Sequence, residues 1–270
     1  MKVSLLQLVT DHYGLSEHEA VGLIMSGKVL VNDRPVTKVG VRFNDDILTK
    51  PNGLRIKSLD KYVSRGAYKL LGALTDFAVD VTGLTCLDIG SSTGGFTDVL
   101  LQSGAAAVYA VDCGSNQLDY RLRNDPRVTV YENHSIQLMT AADFPSSIDL
   151  AVMDVSFTSC VGIIRHIFEH HIAPLMIALI KPQFEYSRLK SELGLPSDFD
   201  GIIRDESLSR RIAEHVCDEI AAIGGVSIGG FHESRIRGTK GNVEYLVVVH
   251  NCALCIIPSS TRLSNRTVPT

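Results

Sequence analysis

LTCLDIGSSTGGF, residues Leu84 to Phe96, is the stretch on which the fold turns. Leu84 to Ile89 is an apolar run of strand length, Gly90 to Gly95 a glycine-rich turn, and Thr97 to Leu101 the opening of a helix. A strand that passes through such a turn into a helix can hold a nucleotide-like cofactor at the helix N-terminus. A second apolar strand, Val108 to Val111, follows and ends in Asp112. The bare alternative is a tight βα turn that needs its glycines for backbone geometry alone.

Charge narrows the choice of cofactor. A dinucleotide site spaces its glycines G-x-G-x-x-G, whereas here they stand at Gly90, Gly94 and Gly95, with a carboxylate, Asp88, just before the turn. An acid at that place would repel phosphate. It suits S-adenosyl-L-methionine, which carries a sulfonium and an ammonium and no phosphate. Asp112 is placed to accept the hydroxyls of an adenosine ribose. The expected contacts to this donor are Asp88, Gly90, Ser91, Ser92, Thr93, Gly94, Gly95, Phe96 and Asp112.

With 270 residues, 45% of them hydrophobic, the chain can build one large domain or two modest ones. The formal charge is −4, but residues 1 to 61 carry nine Lys/Arg against seven Asp/Glu, a balance of +2 that leaves −6 elsewhere. A weakly basic first part is compatible with RNA. Six cysteines (Cys86, Cys113, Cys160, Cys217, Cys252, Cys255) are scattered, and the lone C-x-x-C at the end lacks the second pair that a closed zinc site needs. No metal is expected. No N-terminal segment has signal-peptide order and no apolar run approaches about 20 residues, so a cytoplasmic protein with reduced thiols and no membrane insertion is predicted.

Residues 1–60 read as a separate small module. Val3 to Val9 is apolar at helical spacing, Ser16 and Glu19 form a capping box for a second helix, and short strands follow near Lys28 to Val31, Val36 and Ile47. Residues 61–250 form the second domain: a helix over Ser64 to Phe77, strands over Val128 to Tyr131, Ile148 to Met153 and Leu175 to Ile180, and a helix over Gly162 to His171. Phe184 to Arg204 lacks periodicity and is predicted to be a long loop, a candidate lid. A helix over Glu206 to Ile220 and strands over Val226 to His232 and Tyr245 to Val249 complete a Rossmann-like α/β sheet, and residues 251–270 form a polar, partly disordered tail.

LIMSGKVLVNDRPVTKVG, in the first module, resembles the S4 RNA-binding domain, an α+β fold that presents basic residues to structured RNA. Together with YVSRGAYKL, LDIGSSTGGF, VYAVDCGSNQL, MDVSF, LIKPQFE and GNVEY, the chain resembles the TlyA family, S4-containing relatives of the FtsJ-type 2′-O-ribose methyltransferases that are also called haemolysins. The resemblance implies S-adenosylmethionine-dependent 2′-O-methylation of ribose, in cytidine, with ribosomal RNA or ribosomal subunits as partner. It implies a catalytic tetrad of Lys69, Asp154, Lys181 and Glu244, among which we expect Lys181 to lie nearest the 2′-oxygen. A ribose hydroxyl is a poor nucleophile until its proton leaves, and a positioned cation stabilises the oxyanion.

RNA contacts are expected from Lys28, Arg34, Lys38, Arg42 and Arg65, and from Arg235, Arg237 and Lys240 in a loop whose family form, Ser-Pro-Ile-x-Gly-Pro-x-Gly-Asn-x-Glu, here lacks both prolines and gains three basic residues. That loop should be more electropositive. The competing classes are a membrane-acting haemolysin, a binder of RNA and donor without transfer activity, and a base methyltransferase, which would need a pocket for an extruded base.

Overall fold

The computed structural model describes residues 2–50, 53–56 and 61–252; most of the predicted tail lies outside the described residues. The chain divides into two compact units, Met1–Lys61 and Tyr62–Thr270.

In the first unit, β1 (Lys2–Ser4) pairs antiparallel with β4 (Arg42–Asn44), and β2 (Val29–Val31) lies between β3 (Arg34–Pro35) and β5 (Leu54–Ile56). Helix α1 (Leu5–Tyr13) begins two residues later than the apolar spacing predicts, because Ser4 caps it by accepting from the Gln7 amide. Helix α2 (Glu17–Met25) carries the predicted capping box of Ser16 and Glu19. Leu5, Leu8, Val9, Ala20, Ile24, Val29 and Val31 form the core, and Asn32 and Asp33 turn the β2–β3 hairpin with φ of 50° and 63°.

The second unit runs α3 (Ala67–Asp76), β6 (Thr85–Ile89), α4 (Gly95–Gln102), β7 (Ala107–Asp112), α5 (Tyr120–Arg123), β8 (Val128–Glu132), β9 (Leu150–Met153), α6 (Cys160–Glu169), β10 (Leu175–Ile180), α7 (Pro182–Leu193), α8 (Glu206–Ala221), β11 (Val226–Glu233) and β12 (Tyr245–Asn251). The seven strands lie in the order β11-β12-β10-β9-β6-β7-β8. Strands β6 to β10 are mutually parallel, and β12 runs antiparallel to both its neighbours. Successive residues feed opposite faces: Cys86, Val108 and Val152 pack towards α3 and α4, whereas Leu87, Tyr109 and Met153 pack towards α6 and α8. Strand order reverses between β6 and β9, the switch point where such sheets open a crevice at their carboxyl ends.

The predicted loop over Phe184 to Arg204 is corrected. Its first half is helix α7, which has Pro182 in its first turn and ends at Gly194 in the left-handed conformation. The apolar pattern failed there because a charged residue is inside. Glu185 is buried; it accepts from the Cys160 amide at the start of α6 and from Arg188, which also pairs with Glu219.

Candidate active site

The glycine-rich turn wraps the switch point, and most of its amides are engaged inside the protein. Gly90 and Ser91 donate to the Val111 carbonyl at 2.8 and 3.2 Å, Ser92 donates to Asp112 Oδ2 at 2.8 Å, and Gly94 donates to the Ser91 carbonyl at 2.7 Å. Gly90 and Gly94 have φ of +78° and +95°, and a Cβ on Gly94 would stand 2.2 Å from the Leu122 side chain. A phosphate cradle needs those amides free. In this loop they are taken up inside the protein, so it offers no such cradle.

Asp88 does not line the crevice. Its carboxylate is fully buried, and Oδ2 accepts from the Thr97 amide at 2.9 Å and its hydroxyl at 2.6 Å, which fastens the start of α4 to β6. Its Oδ1 has no hydrogen-bond partner among the described residues. Burial pushes its pKa up to about 7, against the Thr97 hydrogen bonds and with help from Asp154 and Asp112. Asp112 stands at the crevice wall. Its two oxygens accept from the Ser92 and Gly114 amides, which leaves one lone pair on each for hydroxyl groups. Beside it, Glu132 gathers the amides of Asn116, Gln117 and Leu118 and the Arg123 guanidinium, and these donors hold it down at about 2 against the upward pull of burial. A cleft of about 520 Å³ runs along Gly90, Ser92, Asp112, Gln117, His134 and Val155.

Lys69, Asp154, Lys181 and Glu244 meet although they come from four different elements. Asp154 follows β9, with its amide on the Ile89 carbonyl at 3.1 Å; Lys181 follows β10; Glu244 immediately precedes β12; Lys69 projects from the first turn of α3. Lys181 Nζ is 2.6 Å from Asp154 Oδ1 and donates to Ser156 Oγ at 3.0 Å. Lys69 Nζ is 2.7 Å from Glu244 Oε2 and 3.6 Å from Asp154 Oδ2. The result is an alternating chain, Lys181, Asp154, Lys69, Glu244, in which each side chain faces one of opposite type. It lies at the junction of a cleft of about 270 Å³ lined by Ser64, Gly90, Ser91, Thr93, Gly95 and Phe96, and one of about 440 Å³ lined by Phe157, Gln183, Phe184, Lys240 and Asn242.

The second cleft contains residues that the sequence reading passed over. Phe157 is 90% exposed, has φ of +63°, and packs against Phe184 with ring centroids 4.9 Å apart. A bulky residue held in the left-handed region and left in solvent is costly. It presents a bare aromatic face beside Lys181. The signal was the MDVSF motif itself, where only the aspartate drew attention.

The basic residues divide. Arg65 is exposed and lines the first cleft, and Lys240 the second. Arg235 and Arg237 are tied to Asp76 and Glu206, so the loop is less electropositive than its sequence suggests. Those partners lie on α3 and α8, more than 30 positions away in the chain, and local charge counting cannot see them. In the first unit Arg34, Lys38 and Arg42 are exposed and Lys28 is half-buried. The five described cysteines, Cys86, Cys113, Cys160, Cys217 and Cys252, are free thiols, and the described residues contain no cluster of metal-ligand type.

A mostly parallel sheet with acids at successive strand ends and this ionic cluster is that of a methyltransferase, and residues 62–251 match the model of the FtsJ-like methyltransferase family. The chain belongs to this family and, within it, to the TlyA/hemolysin A group. It is 38% identical over 246 residues to the 16S/23S rRNA (cytidine-2′-O)-methyltransferase TlyA of Mycobacterium tuberculosis, covering 89% of this chain and 87% of the relative. It is 38% identical over 239 residues to Hemolysin A of Brachyspira hyodysenteriae, covering 88% and 95%. A solved Streptococcus thermophilus structure, 34% identical, superposes with a TM-score of 0.66 over 93% of this chain and 88% of that one.

Proposed function

We propose that this chain transfers a methyl group from S-adenosylmethionine to the 2′-hydroxyl of a cytidine ribose in ribosomal RNA. The observation that carries this reading is the Lys181–Asp154 ion pair at 2.6 Å, placed where the cleft along the glycine loop opens on the aromatic-rimmed one. S-adenosylmethionine, when bound, supplies a methyl group on a positively charged sulfur. Gly90 to Phe96 and Asp112 hold it; the engaged loop amides and the partnerless Asp88 Oδ1 suit a cation and not a phosphate. Asp88 acts from behind the loop, through charge and through its hold on Thr97.

Lys181, steadied by Asp154 and Ser156, stabilises the charge that develops on the 2′-oxygen as the oxygen bonds to the methyl carbon, the carbon–sulfur bond breaks with its electron pair going to sulfur, and the hydroxyl proton passes to water. Lys69, paired with Glu244, adds a second positive charge behind Asp154. Phe157 offers a stacking face for the acceptor base, and Arg65 and Lys240 stand at the cleft for backbone phosphates. The first unit serves as an S4-like RNA-binding module through Lys28, Arg34, Lys38 and Arg42. No described helix is long and apolar enough to cross a membrane.

Nucleoside mass spectrometry of ribosomal RNA incubated with protein and S-adenosylmethionine tests this. The expected product is 2′-O-methylcytidine, lost in Lys181→Ala. Base-methylated nucleosides without ribose methylation would reject it, and lysis of liposomes by the purified protein would favour the reading that the name Hemolysin A carries for its relative.

A further inference from the structure

Glu244 is only 3% exposed, and more than Lys69 holds it. Its Oε2 accepts from Lys69 Nζ at 2.7 Å, while its Oε1 accepts from Gln183 Nε2 at 3.0 Å. Gln183 sits in the first turn of α7, is 9% exposed, and lines the second cleft. A carboxylate can only accept, so the amide nitrogen of Gln183 must face Glu244 and its oxygen must face away. That oxygen is buried without a partner among the described residues. A buried acceptor with no donor costs stability, so a residue chosen for the fold alone would be apolar here.

Gly238 closes another side of the same carboxylate. A Cβ there would stand 2.5 Å from Glu244 Oε1, and its backbone is outside the left-handed region, so space and not conformation calls for glycine. Two features of different kinds, an amide in an otherwise unfavourable burial and a missing side chain, converge on one oxygen atom.

We propose that Gln183 and Gly238 are positioning residues that clamp Glu244 onto Lys69 and so reserve Asp154 for Lys181. The inference rests on the methyl-transfer reading above. Two lysines share two carboxylates unequally: Lys69 Nζ lies 2.7 Å from Glu244 and 3.6 Å from Asp154, while Lys181 Nζ lies 2.6 Å from Asp154. That partition holds only while Glu244 stays in place. Once Glu244 is loose, Lys69 turns to Asp154 and competes for the carboxylate that orients Lys181.

Three variants test the clamp. Gln183→Met keeps the length and removes the donor; it should lower kcat roughly ten- to a hundred-fold, the usual cost of losing an outer partner. The affinity for S-adenosylmethionine by calorimetry should stay within about twofold, since Gln183 and Gly238 line the second cleft and not the one along the glycine loop. Its melting temperature should not fall. Gln183→Glu can donate to Glu244 only while the carboxyl pair retains a shared proton, so its rate relative to the parent at each pH should fall as pH rises. Gly238→Ala should lower kcat in the same manner as Gln183→Met.

Parental kcat in Gln183→Met, a pH-independent ratio in Gln183→Glu, or losses that merely follow a lowered melting temperature would overturn the clamp. Weakened donor binding would overturn it too, by moving Gln183 to the donor site. Glu244→Gln and Lys181→Ala serve as controls. If they lose ribose methylation while the Gln183 variants do not, only the clamp fails; if they retain it, the reading of the reaction itself fails.

Discussion

The wall proposed to hold the donor is knitted from neighbours in the chain: Thr97 reaches Asp88 across nine positions and Ser92 reaches Asp112 across twenty. The wall proposed to face the acceptor joins Lys69 to Glu244 across 175 positions and Gln183 to Glu244 across 61. The first wall uses backbone amides and glycines, which have one way to close once the strand and helix form. The second uses long charged side chains whose pairing depends on where α3, β9, β10 and β12 bring them. The donor wall should therefore tolerate damage to the acceptor wall, while the acceptor wall should be sensitive to single partners.

The largest effect that would break or sharpen this contrast is that of Lys181→Ala. It should reduce transfer by about a thousandfold or more, the scale of losing a preorganised charge at a developing oxyanion, with donor affinity by calorimetry unchanged. A parallel loss of donor affinity would merge the two walls. Phe157→Ala should come next, raising KM for RNA about tenfold or more, since stacking on an aromatic face contributes about 1–3 kcal/mol per base. Steady-state kinetics with ribosomal RNA should show kcat less affected than KM.

Asp112→Asn should weaken the donor by about tenfold through loss of charge-assisted hydrogen bonds, with the RNA parameters untouched. The smallest effect is on stability and follows pH. Burial holds Asp88 at about 7, well above its ordinary 3.8, so the folded protein takes up a proton there. The stability it contributes is complete below about pH 4 and is lost as pH rises through 7. Asp88→Asn, which cannot ionise, should therefore melt higher than the parent at pH 8, by about 1–3 kcal/mol, with the difference shrinking towards pH 5. A difference that grows on acidification would reverse the assignment. The comparison is made without donor, whose positive charge would draw the same proton off.

Much of this was legible before any coordinates. The strand–turn–helix at Leu84 to Leu101 and the acids at 112 and 154 follow from periodicity and from charge at strand ends. Helix α7 was not legible, because its inward residue is Glu185, and a carboxylate inside a helix face erases the pattern that marks the face. The place of Asp88 behind the turn was also hidden: residue type says acid before glycine, but only the pleat of β6 says which way the acid points, and it points at Thr97. Arg235 and Arg237 read as free charge until α3 and α8 supplied Asp76 and Glu206.

What the amino-acid order determined by itself is the alternation of strands and helices, the tight glycine turn and the acids that end its strands, since these rest on local sterics and a repeat of two or 3.6 residues. What only the tertiary structure decided is the pairing of Lys181 with Asp154 and Lys69 with Glu244, and the buried amide of Gln183 beside them. Ion pairs and hydrogen bonds act over a few ångströms, and distances of that size between residues far apart in the chain exist only after the sheet has closed.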